Sequence, residues 1–262
     1  MHAKLSVVAL SVAAALAMGA CGKKEEPKPV AAPAAPAAPA APAPKPVIVV
    51  KLGHVAPMTG PQAHLGKDNE SGARLAIEEL NAQGLEIGGA KVTFELLGED
   101  DQADPKQGSI VAQKLVDAKV AGVIGHLNSG TTIPASKLYS DAGIPQISGS
   151  ATNPKYTQQG FKTAFRVMAN DVQQGKSLGE FAAKQGVKTV AIVDDRTAYG
   201  QGLADEVKKA AEAAGIKVVA EEKYNRADPS VTGQVLKLVA ANPDAILIGA
   251  AGTPGATPQK EL

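Results

Sequence analysis

The sequence is poor in the residues that build disulfides, cysteine metal sites and aromatic stacking surfaces. Cysteine occurs once, at position 21, tryptophan is absent, and aromatic residues make up 3% of the chain. A single cysteine excludes an intramolecular disulfide and a cysteine-based metal site. The scarcity of aromatic rings argues against a sugar receptor, because sugars favour stacking surfaces.

The charge balance and the positions of the glycines argue against nucleic-acid-binding and nucleotide-binding functions. The net charge is +1 and no Lys/Arg cluster stands out, so nothing favours nucleic acid as a partner. No dinucleotide-type or Walker-type glycine loop occurs, and no histidine or carboxylate stands at metal-ligand spacing. We therefore predict a protein without cofactor or metal.

The N-terminus has the pattern of a secretory signal over residues 1–21. Lys4 supplies a positive charge, residues 5–17 are an apolar run too short to span a bilayer comfortably, and small residues lead to Cys21. The ending Met18-Gly-Ala-Cys21 resembles a bacterial lipobox, in which the cysteine is lipidated and becomes the mature N-terminus. The alternative is an ordinary cleaved signal with an incidental cysteine.

Residues 22–46 contain almost no side chains able to form a core. Alanine, proline and lysine dominate, with an Ala-Ala-Pro repeat between residues 31 and 42. Pro-rich segments stay extended at about 3.1 Å per residue, so twenty residues reach roughly 60 Å. The segment is predicted to be a tether between a membrane anchor and a folded body.

From residue 47 onward, apolar β-like runs alternate with helical patterns, which predicts an α/β fold with right-handed βαβ units and parallel sheets. The length allows one large domain or two lobes. The predicted strands are residues 47–55, 91–97, 120–125, 144–147, 163–168, 189–193, 217–222 and 245–249. The predicted helices are residues 69–83, 105–118, 133–141, 174–185, 203–214 and 231–241.

Two hydroxyl-rich turns are the most informative feature of this pattern. Residues 124–132 and Ser150-Ala-Thr-Asn-Pro154 each follow a Val/Ile-rich run and lead toward a helical pattern. Helix N-termini leave N–H groups without intrahelical partners and carry partial positive charge. Since both turns fall at strand carboxyl ends, where parallel sheets bind ligands, they predict a site for a carboxylate or another small anion.

Less specific interpretations exist for the same residues. His54, His64 and His126 are expected to be turn or hydrogen-bonded structural residues. The pairs Asp100-Asp101 and Asp194-Asp195 could serve as an acid/base pair, but adjacent residues on an extended chain point to opposite faces, so helix capping and a solvated rim are the preferred interpretation. Ser129 and Thr152 could be N-caps, ligand contacts or both.

Seven colinear motifs between residues 47 and 249 together resemble the periplasmic leucine/isoleucine/valine-binding protein family, the receptors of amino-acid ABC importers. They are Gly60-Pro61, Asn69-Glu-Ser-Gly-Ala-Arg74, Asp104-Pro-Lys106, Ile124-Gly-His-Leu127, Pro134-Ala135, Ala151-Thr-Asn-Pro154 and Tyr199-Gly-Gln-Gly202. The resemblance implies the type I periplasmic-binding fold, with two doubly wound parallel-sheet lobes over residues 47–167 and 168–262 and a crossover near residues 166–171.

The resemblance also implies residue roles. Ser129 and Thr152, with backbone N–H groups near Ala151, would hold the α-carboxylate of an amino acid. Tyr199, from the second lobe, would approach its α-ammonium, and Leu65 stands where the best-known members have a pocket tryptophan. The implied partners are ABC permease subunits and, through Cys21, the membrane. The implied location is the periplasm, and no catalytic residue is implied.

Departures from the family pattern affect the prediction. Asn128 and Ala103 replace the two cysteines of a family disulfide, and residues 250–253 replace an aromatic-rich stretch. The pattern predicts a C-terminally truncated second lobe, in which the acidic partner of the ammonium would lie beyond Leu262. Its last strand, residues 245–249, is apolar throughout and is expected to be buried on both faces. Weak ligand binding and a tendency to aggregate are expected to follow.

The sequence thus predicts a lipid-anchored solute-binding protein that binds an amino acid, of the branched-chain type or a related small carboxylate, by lobe closure without covalent chemistry. An amide or urea sensor of the same fold with a regulatory role is the main alternative. A hydrolase is a distant one, because Leu127 replaces the first glycine of a G-x-S-x-G nucleophile elbow.

Overall fold

Two parallel sheets organise residues 44–262, the part of the chain that the computed structural model describes. The predicted signal segment, Cys21 and most of the predicted tether lie outside the described residues. The first sheet has the order β2-β3-β1-β4-β5-β6 and is parallel except for β2. Its strands are β1 (Val47–Ala56), β2 (Glu86–Ile87), β3 (Ala90–Asp100), β4 (Gly122–Gly125), β5 (Gln146–Ser148) and β6 (Ala164–Arg166).

The second sheet has three parallel strands in the order β8-β7-β9. They are β7 (Thr189–Asp194), β8 (Lys217–Lys223) and β9 (Ala245–Gly249). We call the part built on the first sheet the first lobe and the part built on the second sheet the second lobe. In both sheets the first strand lies inside, and the chain moves first to one side of it and then to the other.

Helices connect the strands. They are α1 (Ala63–Ala82), α2 (Pro105–Asp117), α3 (Ser129–Asp141), α4 (Lys155–Gln158), α5 (Asp171–Lys184), α6 (Ala198–Ala213), α7 (Thr232–Ala240) and α8 (Ala256–Glu261). Short 3-10 turns at Gly60–Gln62 and Thr253–Gly255 precede α1 and α8. Within residues 44–262 no helix is both long and apolar enough to cross a membrane.

Local sequence signals explain where several helices begin. The Asp104 carboxylate accepts a hydrogen bond from Gln107 N at 2.7 Å, and proline occupies the first turn of α2. Asn170 and Gln173 form a reciprocal capping box at α5. The Thr197 hydroxyl accepts from Gly200 N at 3.0 Å and caps α6. These caps fix the start of three helices directly after strand carboxyl ends or the crossover.

Each lobe has its own apolar core. In the first lobe, α2 and α3 pack on the sheet through a buried cluster that includes Val55, Leu115, Val123 and Tyr139. In the second lobe, alternate residues of β7 face two different clusters, one with Leu238 of α7 and one that includes residues of α6. Strand β7 is therefore the one covered on both faces in the second lobe.

The predicted α/β class with two parallel-sheet lobes is confirmed, the second lobe being smaller. The prediction for β9 was wrong: residues 245–248 are only half-buried, because β9 is an edge strand that pairs with β7 alone. Four helices begin three to six residues earlier than predicted, since their first turns carry no regular apolar period. The helix starts are at Ala63, Ser129, Asp171 and Ala198.

The two lobes meet at the carboxyl ends of their strands. Asn153 Nδ2 of the first lobe donates to the Ala198 carbonyl of the second at 2.6 Å. Gln62 Nε2 donates to the Ala251 carbonyl at 3.3 Å. The loops that follow the strands therefore face one another across a cleft, which is where parallel sheets place their ligands.

Candidate functional site

Ser129 lies in the cleft at the first position of α3. Strand β4 ends at Gly125, and Asn128, with extended backbone, is the residue before the helix. The Ser129 hydroxyl is buried and accepts a hydrogen bond from Asn153 N at 3.2 Å. Its own proton stays available for an acceptor in the cleft. Ser129 thus lies at a helix start after a strand, as predicted, but it is not the N-cap, because Asn128 occupies that position.

Ser148, the last residue of β5, ties the two hydroxyl-rich turns together. Its hydroxyl donates to the His126 carbonyl at 2.8 Å and accepts from Ala151 N at 2.9 Å. The Ala151 N–H is thus already engaged within the protein. The next N–H along the chain, that of Thr152, has no acceptor among residues 44–262 and is the amide of this turn that remains for a ligand.

Thr152 does not cap a helix, contrary to the prediction that it stands at a helix start. It lies in an irregular loop, and the following helix α4 has four residues and Pro154 before it. The N-cap position of α4 is occupied by Pro154, two residues after Thr152, so the Thr152 hydroxyl does not reach the first turn of this helix. It lies beside the carboxylate of Asp171, whose own N–H donates to the Thr152 carbonyl at 2.9 Å.

Asp171 is fully buried, and neither carboxylate oxygen has a partner at good hydrogen-bond geometry within the described residues. Burial raises the pKa of this carboxyl, and the neighbouring Thr152 hydroxyl and Arg166 guanidinium offset only part of the rise. Arg166 itself donates to the Ala151 and Asn153 carbonyls at 2.9 and 3.0 Å. The loop that carries Thr152 is therefore held from its carbonyl side.

Tyr199 enters from the second lobe as the second residue of α6. Burial raises the pKa of its hydroxyl, the Asp171 carboxylate raises it further, and a hydrogen bond with the Gln174 side chain lowers it in part. The hydroxyl is therefore neutral around pH 7 and can both donate and accept. This suits contact with a ligand that carries either charge.

Ser129, Thr152 and Tyr199 line one cavity of about 280 Å³, which we call the Ser129 cavity. Neither Leu65 nor Ala151 lines it; Leu65 lies in the first turn of α1, where its carbonyl accepts from Asn69 Nδ2 at 3.3 Å. The residues around the cavity are Leu127, Asn128, Ser129, Ser150, Thr152, Met168, Gln174, Tyr199 and Ala251. Most of them follow the carboxyl end of a strand in one of the two sheets.

A second cavity of about 320 Å³ adjoins the first between the lobes, and we call it the Arg226 cavity. It shares Asn128, Tyr199 and Ala251 with the Ser129 cavity. Ala103 and Asn128, the positions where the resembling family has a disulfide, both line it. The sequence analysis missed Arg226, Gln62 and Gln174 in this region; the rule that ligands bind where parallel strands end could have pointed to Arg226, just after β8.

The prediction that the aspartate pairs serve as helix caps and a solvated rim is wrong. Asp101, Asp194 and Asp195 are buried and organise turns after strands by accepting from backbone N–H groups two residues on. They do not cap the following helices, which Asp104 and Thr197 do.

The three histidines also have structural places. Buried His126 contacts Asp101 Oδ2 through Nδ1 at 3.0 Å and the Tyr139 hydroxyl through Nε2 at 3.1 Å, which confirms the prediction for that residue. His54 is buried with Nδ1 unpartnered, and burial lowers its pKa; His64 is exposed on α1. Among residues 44–262 no three His, Cys, Asp or Glu side chains form a group that could hold a metal ion.

The chain matches the periplasmic binding protein family over residues 49–259. It is 41% identical over 201 residues to the Leu/Ile/Val-binding protein homolog 1 of Brucella melitensis, an alignment that covers 76% of this chain and 53% of that relative. The chain thus spans about half the length of the curated relatives it matches.

Solved structures share the fold. An extracellular ligand-binding receptor from Rhodopseudomonas palustris HaA2 superposes with a TM-score of 0.68 at 33% identity, over 81% of this chain and 57% of that one. An ABC transporter substrate-binding protein from Desulfitobacterium hafniense in complex with Leu superposes with a TM-score of 0.63 at 32% identity, over 80% and 61%.

Proposed function

This chain belongs to the periplasmic binding protein family, and we propose that it is the extracytoplasmic solute-binding component of an ABC importer. Its ligand is an amino acid, of the branched-chain class or a related small carboxylate, held between the two lobes. The observation that carries the proposal is the meeting of Ser129, Thr152 and Tyr199 at one cavity, although they come from three separate loops of both lobes.

The polar groups around the Ser129 cavity suit the two ends of an amino acid. The Ser129 hydroxyl and the Thr152 N–H provide donors for the α-carboxylate, and α3 directs its positive end toward the same place. The Tyr199 hydroxyl is placed to accept from the α-ammonium. Arg166 and Ser148 hold the Thr152 loop in position, so the site is largely formed before the ligand arrives.

Binding and lobe closure, without covalent chemistry, fit this arrangement better than hydrolysis. A serine nucleophile needs a base within hydrogen-bond reach. The Ser129 hydroxyl is instead bonded to a backbone N–H, and both ring nitrogens of His126 are engaged by Asp101 and Tyr139. The cleft thus lacks the Ser–His contact that an acyl-transfer mechanism would use.

The carboxylate contact is tested by removing the hydroxyl of Ser129. A hydrogen bond to a charged group contributes about 1.5–3 kcal/mol, and each 1.4 kcal/mol is about tenfold in affinity. We expect Ser129→Ala to weaken amino-acid binding, measured by calorimetry, by roughly ten- to a hundredfold. The exposed Ser71 on α1 provides the matched control, Ser71→Ala, which should change nothing.

The amide of the same amino acid separates this proposal from the amide-sensor alternative. Neutralising the carboxylate should weaken binding to the parent protein by a similar factor and to Ser129→Ala by much less. An amide that binds as tightly as the acid would contradict a carboxylate site and favour the sensor. Absence of binding by any amino acid would contradict the proposed function itself.

The family fixes the location as extracytoplasmic, and we extend this to a lipid anchor at Cys21 and a permease partner. The support is the apolar run that ends at Cys21 and the Pro-rich tether behind it. Expressed in a bacterium, the protein should enter the membrane fraction and incorporate labelled fatty acid, whereas Cys21→Ala should be soluble or unprocessed. A wild-type protein that is soluble and free of lipid would exclude the anchor.

A further inference from the structure

The Arg226 cavity differs chemically from the Ser129 cavity beside it. Its charged lining consists of Asp195, Arg196 and Arg226, with Gln62 and Asn128 as further polar side chains. Tyr199 is its one large ring, and no leucine, isoleucine, valine or methionine contributes to its wall. Apart from Tyr199, its apolar lining is made of small alanine and proline side chains, so the charged groups are what distinguish this cavity.

Arg226 makes unusually few good contacts for a guanidinium that is only 21% exposed. Its Nε is buried and has no hydrogen-bond partner within the described residues. One terminal nitrogen reaches the Ala251 carbonyl at 3.4 Å, and Nε lies 3.6 Å from Asp195 Oδ2. Charge-assisted N–H···O bonds normally measure about 2.7–2.9 Å, so most donors of this fork are left unused.

The one carboxylate in the lining, that of Asp195, is hydrogen-bonded to Thr197, and the two lining arginines outnumber it, so the charged lining is net positive. Its Oδ1 accepts from Thr197 N at 3.0 Å and from the Thr197 hydroxyl at 2.6 Å. Arg196 and Arg226 both line the cavity, and α6 begins at its wall, which adds partial positive charge. An anion is therefore the complementary group, and a cation is not.

Resting on the proposed function, we propose that Arg226 is the specificity-determining residue for a second anionic group on the ligand. The α-carboxylate lies in the Ser129 cavity. The side chain extends past Asn128, Tyr199 and Ala251, which line both cavities, and its terminal carboxylate pairs with Arg226 in the Arg226 cavity. Of the two ligand classes in the proposed function, this selects the related small carboxylate over the branched-chain amino acid: the preferred ligand is an amino acid with an acidic side chain, bound more tightly than aliphatic ones of similar size.

Calorimetry on the full chain with L-glutamate, L-glutamine and L-leucine tests this directly, because glutamine matches glutamate in shape and lacks its charge. We expect glutamate to bind at least tenfold more tightly than either. Arg226→Ala should weaken glutamate binding by roughly ten- to a hundredfold and change leucine binding less than threefold. Arg226→Lys, which keeps the charge but loses the fork, should fall between.

The control for charge is Lys223→Ala, since Lys223 is exposed, lies 3.7 Å from Asp194 and does not line the cavity. It should leave glutamate binding unchanged, and melting temperatures of all variants check the fold. Leucine binding that equals or exceeds glutamate binding, or an Arg226→Ala variant equally impaired for both, would overturn the inference while leaving the proposed function intact. Loss of binding in Ser129→Ala tests the proposed function separately.

Discussion

Asp171 places an ionisable carboxyl group in a buried position of the cleft, where the charged form is disfavoured. The carboxylate is fully buried beside Thr152 and one turn from Gln174, and its oxygens lack well-formed hydrogen bonds among the described residues. Arg166 gives partial compensation, and Glu206 adds repulsion. A buried carboxylate with such neighbours binds a proton more readily in the folded chain than in the unfolded one.

The direction of the pH dependence follows from that raised pKa. Since the folded state holds the proton more tightly, the ionised form of Asp171 costs stability at neutral and higher pH. As pH falls through the raised pKa, this cost disappears, and the relief is complete below the ordinary value of 3.8. The effect is opposite in sign to that of a salt-bridged carboxylate.

Asp171→Asn is accordingly expected to stabilise the protein at pH 8 by about 1 kcal/mol, because it mimics the protonated form and removes an unsatisfied buried charge. Thermal melts should show a gain for the variant at pH 8 that shrinks toward pH 4.5. Asp205→Asn, an exposed change on α6, should give no pH-dependent difference. A destabilised variant at pH 8 would mean that the ionised carboxylate is stabilised by its surroundings.

Residue-level prediction succeeded where strand order decides position and failed where side-chain packing does. Ser129 and Tyr199 follow strand ends in sequence, so a parallel sheet necessarily brings them to the cleft. The sequence alone did not show that Ala151 N–H would be taken by Ser148, or that Arg226 would have few partners. Those facts depend on distances between loops that no local pattern encodes.

At the scale of elements, apolar periodicity located all the described strands and helices except the short β2, α4 and α8, but it did not locate the helix starts. The first turns of α1, α3, α5 and α6 carry no regular apolar period, and the capping residues Asn170 and Thr197 lie outside it. Ser129 and Tyr199, which line the Ser129 cavity, lie in the first turns of α3 and α6, so the late predicted starts left them outside the predicted helices. Caps are the signal that would have placed α5 and α6, whereas α1 and α3 begin without a side-chain cap.

Strand β9 shows the converse limit. Its composition is that of a strand buried on both faces, yet residues 245–248 are half-exposed at the edge of the second sheet. An apolar composition shows that a strand could be buried on both faces. Whether it is buried depends on the strands and helices that pack against it. In the first sheet, the edge strand β6 likewise exposes Phe165.

At the scale of the whole molecule, the lobes touch through a small number of polar contacts. Asn153 Nδ2 donates to the Ala198 carbonyl in the first turn of α6, and Gly202, one turn later, lies directly against the same amide. A Cβ at Gly202 would overlap Asn153 Nδ2 and come within 3.3 Å of Asp171 Oδ2. This glycine therefore permits the close approach of loop and helix on which the observed lobe arrangement depends.

Gly202→Ala should accordingly favour a more open arrangement and weaken ligand binding. Losing the Asn153 hydrogen bond costs about 0.5–1.5 kcal/mol, which corresponds to roughly two- to twelvefold in affinity, because ligand that needs the closed lobes must first restore their contact. Calorimetry gives the affinity, and small-angle scattering at saturating ligand gives the radius of gyration. Alanine also raises helix propensity by about 1 kcal/mol, so the fold of the second lobe should be maintained.

Gly233→Ala in α7 isolates that propensity gain, because a Cβ there meets nothing within 4 Å. It should raise the melting temperature and leave both the affinity and the radius unchanged. If Gly202→Ala binds as tightly as the parent and contracts equally on ligand addition, the Asn153–Ala198 contact does not belong to the bound state. The closing of the lobes would then rest on the Gln62–Ala251 side of the cleft alone.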